Sequence, residues 1–513
     1  MKAKSLSMLA LAAVVPALHA QANPATTDKI VDLGKNRNQV MKTLRELTNI
    51  GPRLTGSPNL RRAQDWAASK FRGYGLKNVR LEKWGDVPVG FQRGRRQIGR
   101  MVEPFASEIV YTTQAWMPGT NGMVRAEAVL APATAAEVAT QRESLRGKWV
   151  VMPRPTTMRG PSAGDDELIK ALNEAGIAGK IYGAADERVH SSGRWVGKTF
   201  ENRPNELNIF VRKSDYDRIV RNVGLARKPV LEFDIENQWF RGPIEQYNVV
   251  AEIPGTEKPD EVVIVCGHLD SWNTPGSQGA CDNGTGSSVA IEAARILSAA
   301  KVKPKRTIRF ILWSGEEQGL HGSRNYVQLH KNELEKISAV LNDDGGTNYQ
   351  GGYVGLESMR PMMEAAMAPT QRAFPNLEMK FQVVEKMPEG GSSDHAPFNW
   401  EGVPGFFTIE SGKANYGHVW HTQFDRYEAA IPEYLVQSST NHAVVAYYLA
   451  DAPTMLPRGP KPPPRKETVN LKHEEAIGAD HMYQDHDHSD DFWIDQIDRL
   501  PRWIRMVIPA LSR

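Results

Sequence analysis

Val262-Val263-Ile264-Val265-Cys266 runs directly into Gly267-His268-Leu269-Asp270, and farther on Thr307 to Trp313 runs the same way into Ser314-Gly315-Glu316-Glu317. Each is a short, apolar, β-branched run that ends in chemistry-bearing residues, as a buried strand does. Between them, Gly286 to Ala300 sets Val289, Ala293, Ile296, Leu297 and Ala300 on one helical stripe. Ser323 to Ile337 reads as a further helix, and Ala339 to Leu341 as a strand that closes on Asn342-Asp343-Asp344-Gly345. Alternation of this kind predicts an α/β fold with a largely parallel sheet covered on both faces. Ligand sites in such sheets lie beyond the carboxyl ends of the strands, where these clusters fall.

Outward from this centre the pattern changes twice. Toward the N-terminus, Ile30 to Leu47 and Asn59 to Tyr74 have helical spacing, separated by the stop Gly51-Pro52-Arg53, and Val79 to Glu82 is strand-like. From about 115 to 240, Trp149 to Met152, Ile177 to Tyr182 and Leu207 to Val211 read as strands, with Asp166 to Ala175 and Ser214 to Val223 as helices. These can form a small domain of their own, after which Tyr247 to Ile253 resumes the main fold. The expected units are therefore a main domain over 23–115 and 241–452 and an insert over 116–240. Near 452 the core is expected to end, because Pro453 to Pro464 holds six prolines and reads as a stiff connector. The remaining tail, to 513, is rich in His and Asp (His481, Asp485, His486, Asp487, His488) and reads as a solvated charged segment.

The 513 residues are too many for one ordinary core. A formal net charge of +3 lacks the basic surplus of a nucleic-acid binder. Lys2 and Lys4, the apolar stretch Leu6 to Leu18, and Ala20-Gln21-Ala22 describe a cleaved secretory signal over 1–22, so export to the periplasm or the outside is expected. That stretch is short for a membrane span and no later one is longer, so no spanning segment is expected. Cys266 and Cys281 are the two cysteines; they could pair in an oxidising compartment, but cannot be the main source of stability.

The clusters suggest metal. His268 with Asp270 at a strand end offers an imidazole ligand and a carboxylate to orient it. Asp282 sits in the glycine-rich turn Gly279 to Gly286, where a plain helix cap is the simpler reading. Adjacent carboxylates Glu316 and Glu317 repel each other unless a cation separates their roles. Asp343-Asp344 follows another strand, and His421 lies four residues before Asp425. Two imidazoles and three carboxylates, one of them bridging, would give each of two zinc ions three protein ligands and an open place.

At these residues the chain resembles the co-catalytic di-zinc exopeptidases, a family of aminopeptidases and glutamate carboxypeptidases, and within it most closely the carboxypeptidase Q branch. The resemblance is carried by Gly267-His268-Leu269-Asp270-Ser271-Trp272, Gly279-Ala280-Cys281-Asp282, Leu312 to Gly319 and Ser393-Asp394-His395, and extends to Ile50 to Ser57. It implies a three-layer αβα zinc-peptidase fold with a mostly parallel central sheet, and the insert resembles a protease-associated domain. It further implies that His268 and Asp344 hold one zinc, Glu317 and His421 the other, with Asp282 bridging. Glu316 would be the general base and Asp270 the orienter of His268. Asn283 stands where the family usually has aspartate, and Arg426 where threonine is common. The function this implies is hydrolysis of short peptides or dipeptides by a hydroxide bridging the two metals. The alternatives are an aminopeptidase on longer peptides and a non-catalytic binding protein on the same fold. Asp394, and more weakly Tyr416 and His418, are candidates to meet the substrate's terminus. A peptide is the expected partner, and a homodimer is an assembly the reading leaves open.

Overall fold

Val262–Cys266 is the middle of a longer strand, Lys258–His268, whose alternate side chains enter two different cores. Val263 and Val265 pack with Phe310, Leu312, Ala339 and Leu341 against the helices Pro58–Gly73, Thr285–Ala300 and Pro432–Asp451. Val262, Ile264 and Cys266 face the other way, with Ile311, Trp313 and Val340, onto Tyr326 of helix His321–Leu329 and Phe398 of helix Ala396–Trp400. This double burial produces the helix–sheet–helix layering and explains the apolar runs. The computed structural model describes residues 23–154, 166–390 and 392–462. The leader at 1–22 and the charged tail from 463 lie outside these.

Lys258–His268 is flanked in parallel by Arg306–Trp313 and Ile337–Asn342, and the latter by Gly405–Ser411. Three of these strand ends therefore converge: His268, the turn after Trp313, and the turn after Asn342. Beyond Gly405–Ser411 the sheet continues through antiparallel Tyr349–Gly355 to Lys380–Val383.

On its other side the sheet is joined by Val230–Ile253, antiparallel to Arg306–Trp313 at one end and to Val124–Leu130 at the other. The same strand pairs along most of its length with Lys77–Glu103. Past Val124–Leu130 come three further parallel strands, Trp149–Val151, Gly179–Gly183 and Asn208–Val211. A separate hydrophobic core forms here around Trp149, Ile181, Ile209, Leu231 and Phe233. The 240/241 boundary thus falls inside one continuous strand, and the two sheets share a ribbon instead of a linker.

Three local features differ from expectation. Ile30 to Leu47 is two helices, Pro24–Asn36 and Val40–Thr48, because the Asn38 carboxamide accepts the Val40 N–H and so starts a second helix. Ser323 to Ile337 is helical only to Leu329, and Ile337 already belongs to the next strand. Residues 453–462 have no regular structure but are docked: Leu456 is buried in the main core, and Arg458 donates to the carbonyls of Leu334 and Ile337. Among the described residues no helix is long and apolar enough to cross a membrane.

Candidate metal centre and active site

His268 and Asp344 meet at the ends of adjacent strands, with Nε2 3.0 Å from Asp344 Oδ1. Across from them, His421 Nε2 lies 3.1 Å from Glu317 Oε2. Asp282 stands between the pairs, its Oδ1 3.4 Å from His268 Nε2 and its Oδ2 3.4 Å from His421 Nε2. The structure thus gathers two three-residue groups, His268–Asp282–Asp344 and Asp282–Glu317–His421, that share one carboxylate. Glu316 Oε2 is 3.9 Å from His268 Nε2, beside the first group but outside it.

Asp282 lies in the turn Ala280–Gly284 that leads into helix Thr285–Ala300. Asn283, where the resemblance led us to look for aspartate, uses its amide to hold the neighbouring loop: Nδ2 donates to the Asp343 carbonyl at 2.8 Å and Oδ1 accepts the Gly286 N–H at 3.0 Å. Gly286 has no room for a side chain, because a Cβ would sit 2.1 Å from the Asp343 carbonyl. Asp343 itself turns away, to Gln350 Nε2 at 2.7 Å. Burial pushes its carboxyl up to about 7.

Asp270 meets the imidazole through its main chain and a neighbouring turn through its carboxylate. His268 Nδ1 lies 3.0 Å from its backbone carbonyl and 3.6 Å from its carboxylate. The carboxylate accepts the Thr55 hydroxyl at 2.9 Å and faces the N–H groups of Glu316 and Glu317, each at 3.4 Å. It therefore positions the turn that presents both glutamates. Glu317 is further held by the Trp272 N–H at 3.2 Å.

The electrostatics are those of too many carboxylates in too little water. Burial, reinforced by neighbouring acids, raises Glu316 and Glu317 well above the usual carboxylate range, and burial raises Asp344 as well. Burial would depress His268, but Asp344 and Glu316 outweigh it and push the imidazole well above its ordinary value. Burial also opposes the charge on Asp282, yet His268, His421 and the Tyr416 hydroxyl hold its carboxyl low. Asp282 Oδ2 has no hydrogen-bond donor among the described residues although it is buried. Divalent cations would satisfy that oxygen and neutralise the surplus, and imidazole with carboxylate oxygen is a zinc donor set.

Three further residues decide this geometry. Arg53, read from the sequence as part of a helix stop and of the Ile50 to Ser57 resemblance but given no role, is fully buried behind the centre. Its guanidinium donates to the carbonyls of Leu269 at 2.6 Å, Gln278 at 3.1 Å and Gly279 at 2.7 Å, bracing the loop between His268 and Asp282. Burial lowers it to about 10, against the pull of Asp425, Asp270, Asp282 and Glu317, so it remains a cation at neutral pH. Asp425 accepts the Cys281 N–H at 2.5 Å and fixes the other side of the Asp282 turn. Thr274 Oγ1 donates to the His421 carbonyl at 2.7 Å. That support matters because His421 has φ +58, a left-handed conformation costing roughly 1–2 kcal/mol for a residue with a Cβ.

Of the candidates for the substrate's terminus, Asp394 is buried and bonded to the Ser323 hydroxyl, with its second oxygen unpartnered among the described residues. Tyr416 helps to hold the Asp282 carboxyl low, whereas His418 stacks on Phe424 at 4.3 Å. Tyr416 also lines a cavity of about 240 Å³ with Thr347, Ala414, Val419 and Ile431. Cys266 and Cys281 are both buried free thiols, so the pairing entertained from sequence is not made.

Comparison with known proteins gives this arrangement a family. Residues 248–446 match the model of peptidase family M28. Carboxypeptidase Q of Mus musculus is 29% identical over 83% of this chain and 88% of its own. An aminopeptidase of Pseudomonas aeruginosa is 35% identical over 46% of this chain and 44% of its own. Among solved structures, a peptidase M28 precursor from Shewanella amazonensis SB2B superposes with a TM-score of 0.62 at 25% identity, covering 85% of this chain and 99% of that one. Residues 248–446 thus match peptidase family M28, and the chain is a zinc metallopeptidase.

Proposed function

We propose that this enzyme is an exported di-zinc exopeptidase that cleaves short peptides, dipeptides foremost. The observation that carries the reading is Asp282, which offers one oxygen to each histidine. In this reading His268 and Asp344 hold one ion, Glu317 and His421 the other, and Asp282 belongs to both. Two zinc ions so held would polarise the attacking water and the scissile carbonyl. Glu316 takes the proton from that water, a role suited to a carboxyl whose pKa burial has raised, and passes it to the leaving amine. Asp270 keeps Glu316 in reach through the backbone of its turn. The Tyr416 hydroxyl, near enough to help hold the Asp282 carboxyl low, would donate to the developing oxyanion. The cavity beside it would take one apolar side chain.

Carboxypeptidase-type over aminopeptidase-type action is supported by curated relatives named carboxypeptidase Q, which match along most of the chain, while the Pseudomonas aeruginosa aminopeptidase matches less than half of it. Export is supported by the basic, apolar and small-residue order of 1–22. The separate core of the 116–240 region supports its reading as a protease-associated domain. The test is to profile the purified protein against free and terminally blocked di- and tripeptides. Turnover of free dipeptides, lost when either terminus is blocked, is expected. Preferential cleavage of longer, C-terminally blocked peptides would make it an aminopeptidase instead.

A further inference from the structure

The loop that carries His421 is gripped from outside the peptidase unit. Gln423 is buried, and its amide is used at both ends: Oε1 accepts the Val189 N–H at 2.9 Å and Nε2 donates to the Glu187 carbonyl at 2.9 Å. Two residues earlier, the His421 carbonyl accepts the Ser191 N–H at 3.1 Å, and His190 and Thr422 form an isolated antiparallel bridge. Arg188 donates to the Gly417 carbonyl at the start of the same loop. Residues 187–191 lie in the connection between strands Gly179–Gly183 and Asn208–Val211 of the second sheet. Rings continue the contact, with His190 against Trp420 and Trp420 stacked on His421 at 3.8 Å.

We propose that residues 187–191 clamp the His421 loop, making Gln423 and Val189 positioning residues for one half of the metal pair. The inference rests on the two-ion reading above and adds that the second sheet helps to build the centre as well as to flank it. The argument is geometric. His421 occupies a left-handed backbone conformation that a β-carbon disfavours. The carbonyl of that same residue receives a bond from the clamp. Without the clamp, Thr274 would be left to hold the His421 carbonyl from one side, and the imidazole would be held less firmly toward Asp282 and Glu317. His268 and Asp344 sit on strand ends that the clamp does not touch, so their half of the centre should not respond.

The test uses the full chain, zinc alone as probe and a competing chromophoric chelator. The wild type is expected to hold two zinc ions. Gln423→Ala and Val189→Pro, made on opposite sides of the contact, should each keep one ion at wild-type affinity. The other should weaken about 10–100-fold, the range typical when a ligand's outer support is removed. Raising free zinc should then restore kcat in both variants. Two ions held at wild-type affinity in both variants would overturn the clamp while leaving the two-ion reading intact. Loss of both ions together would also overturn it, since that outcome reports general unfolding. A wild-type chain holding a single ion would overturn the two-ion reading and the clamp with it.

Discussion

Replacing Arg53 with methionine keeps the bulk of the side chain and deletes its charge and its donors. Three carbonyls, of Leu269, Gln278 and Gly279, then lose their partner inside a largely buried loop. A bond from a charged donor is worth about 1.5–3 kcal/mol, so the gross loss is about 5–9 kcal/mol. Against this, a guanidinium no longer has to be kept out of water, which returns several kcal/mol. The net expected cost is about 3–5 kcal/mol, the range found when one partner of a buried charged network is removed. That corresponds to about a hundred- to several-thousand-fold in the folding equilibrium. Urea unfolding of the zinc-free protein, wild type against Arg53→Met, reads the difference directly. Arg53→Lys retains the cation but cannot reach all three carbonyls, and should fall between the two. A variant within about 0.5 kcal/mol of wild type, the scale of an ordinary surface change, would refute the idea that Arg53 braces the site.

Two other outcomes follow from the same burial. The zinc-free protein should lose stability as pH rises from about 6.5 to about 8. Asp394 and Asp425 are raised to about 8 and Asp343 to about 7, so the folded state holds protons that the unfolded state has released. Below about 6.5 the trend is opposed, because His321, His395 and His442, lowered to about 4, stay neutral in the fold while their unfolded counterparts take up protons. Urea midpoints in a chelator across this range check the sign, and saturating zinc should abolish the decline. The thiols of Cys266 and Cys281, buried and pushed well above the usual range, should resist a thiol reagent in the native protein and react fully in denaturant, one equivalent each.

The centre of the fold was readable in the sequence because its strands are buried on both faces. Val262 to Cys266 is apolar throughout and Thr307 to Trp313 nearly so, Arg309 being its one charged residue, and the residues that end them are the ones that converge. The ribbon of Lys77–Glu103 and Val230–Ile253 was not readable beyond Val79 to Glu82 and Tyr247 to Ile253. Much of it is half-exposed and rich in Arg, Gln and Gly, so it carries no apolar alternation to mark it as strand. Within the site, His268 and the two glutamates announce themselves by type and by position at strand ends, whereas Asp282, in a turn before a helix, reads by itself as a cap. Arg53 and Gln423 do not announce themselves. Their roles consist of bonds to backbone atoms some two hundred residues away, and a carbonyl acceptor leaves no trace in residue identity. Of the two adjacent aspartates, Asp344 faces His268 and Asp343 faces Gln350, a difference that residue type alone does not carry.

Anomalous scattering at the zinc edge from crystals grown with zinc tests the two-ion claim most directly. The account predicts two peaks about 3.5–4 Å apart, one bound by His268 and Asp344, the other by Glu317 and His421, with Asp282 touching both. A single peak, or two that leave Asp282 on one side, would contradict it.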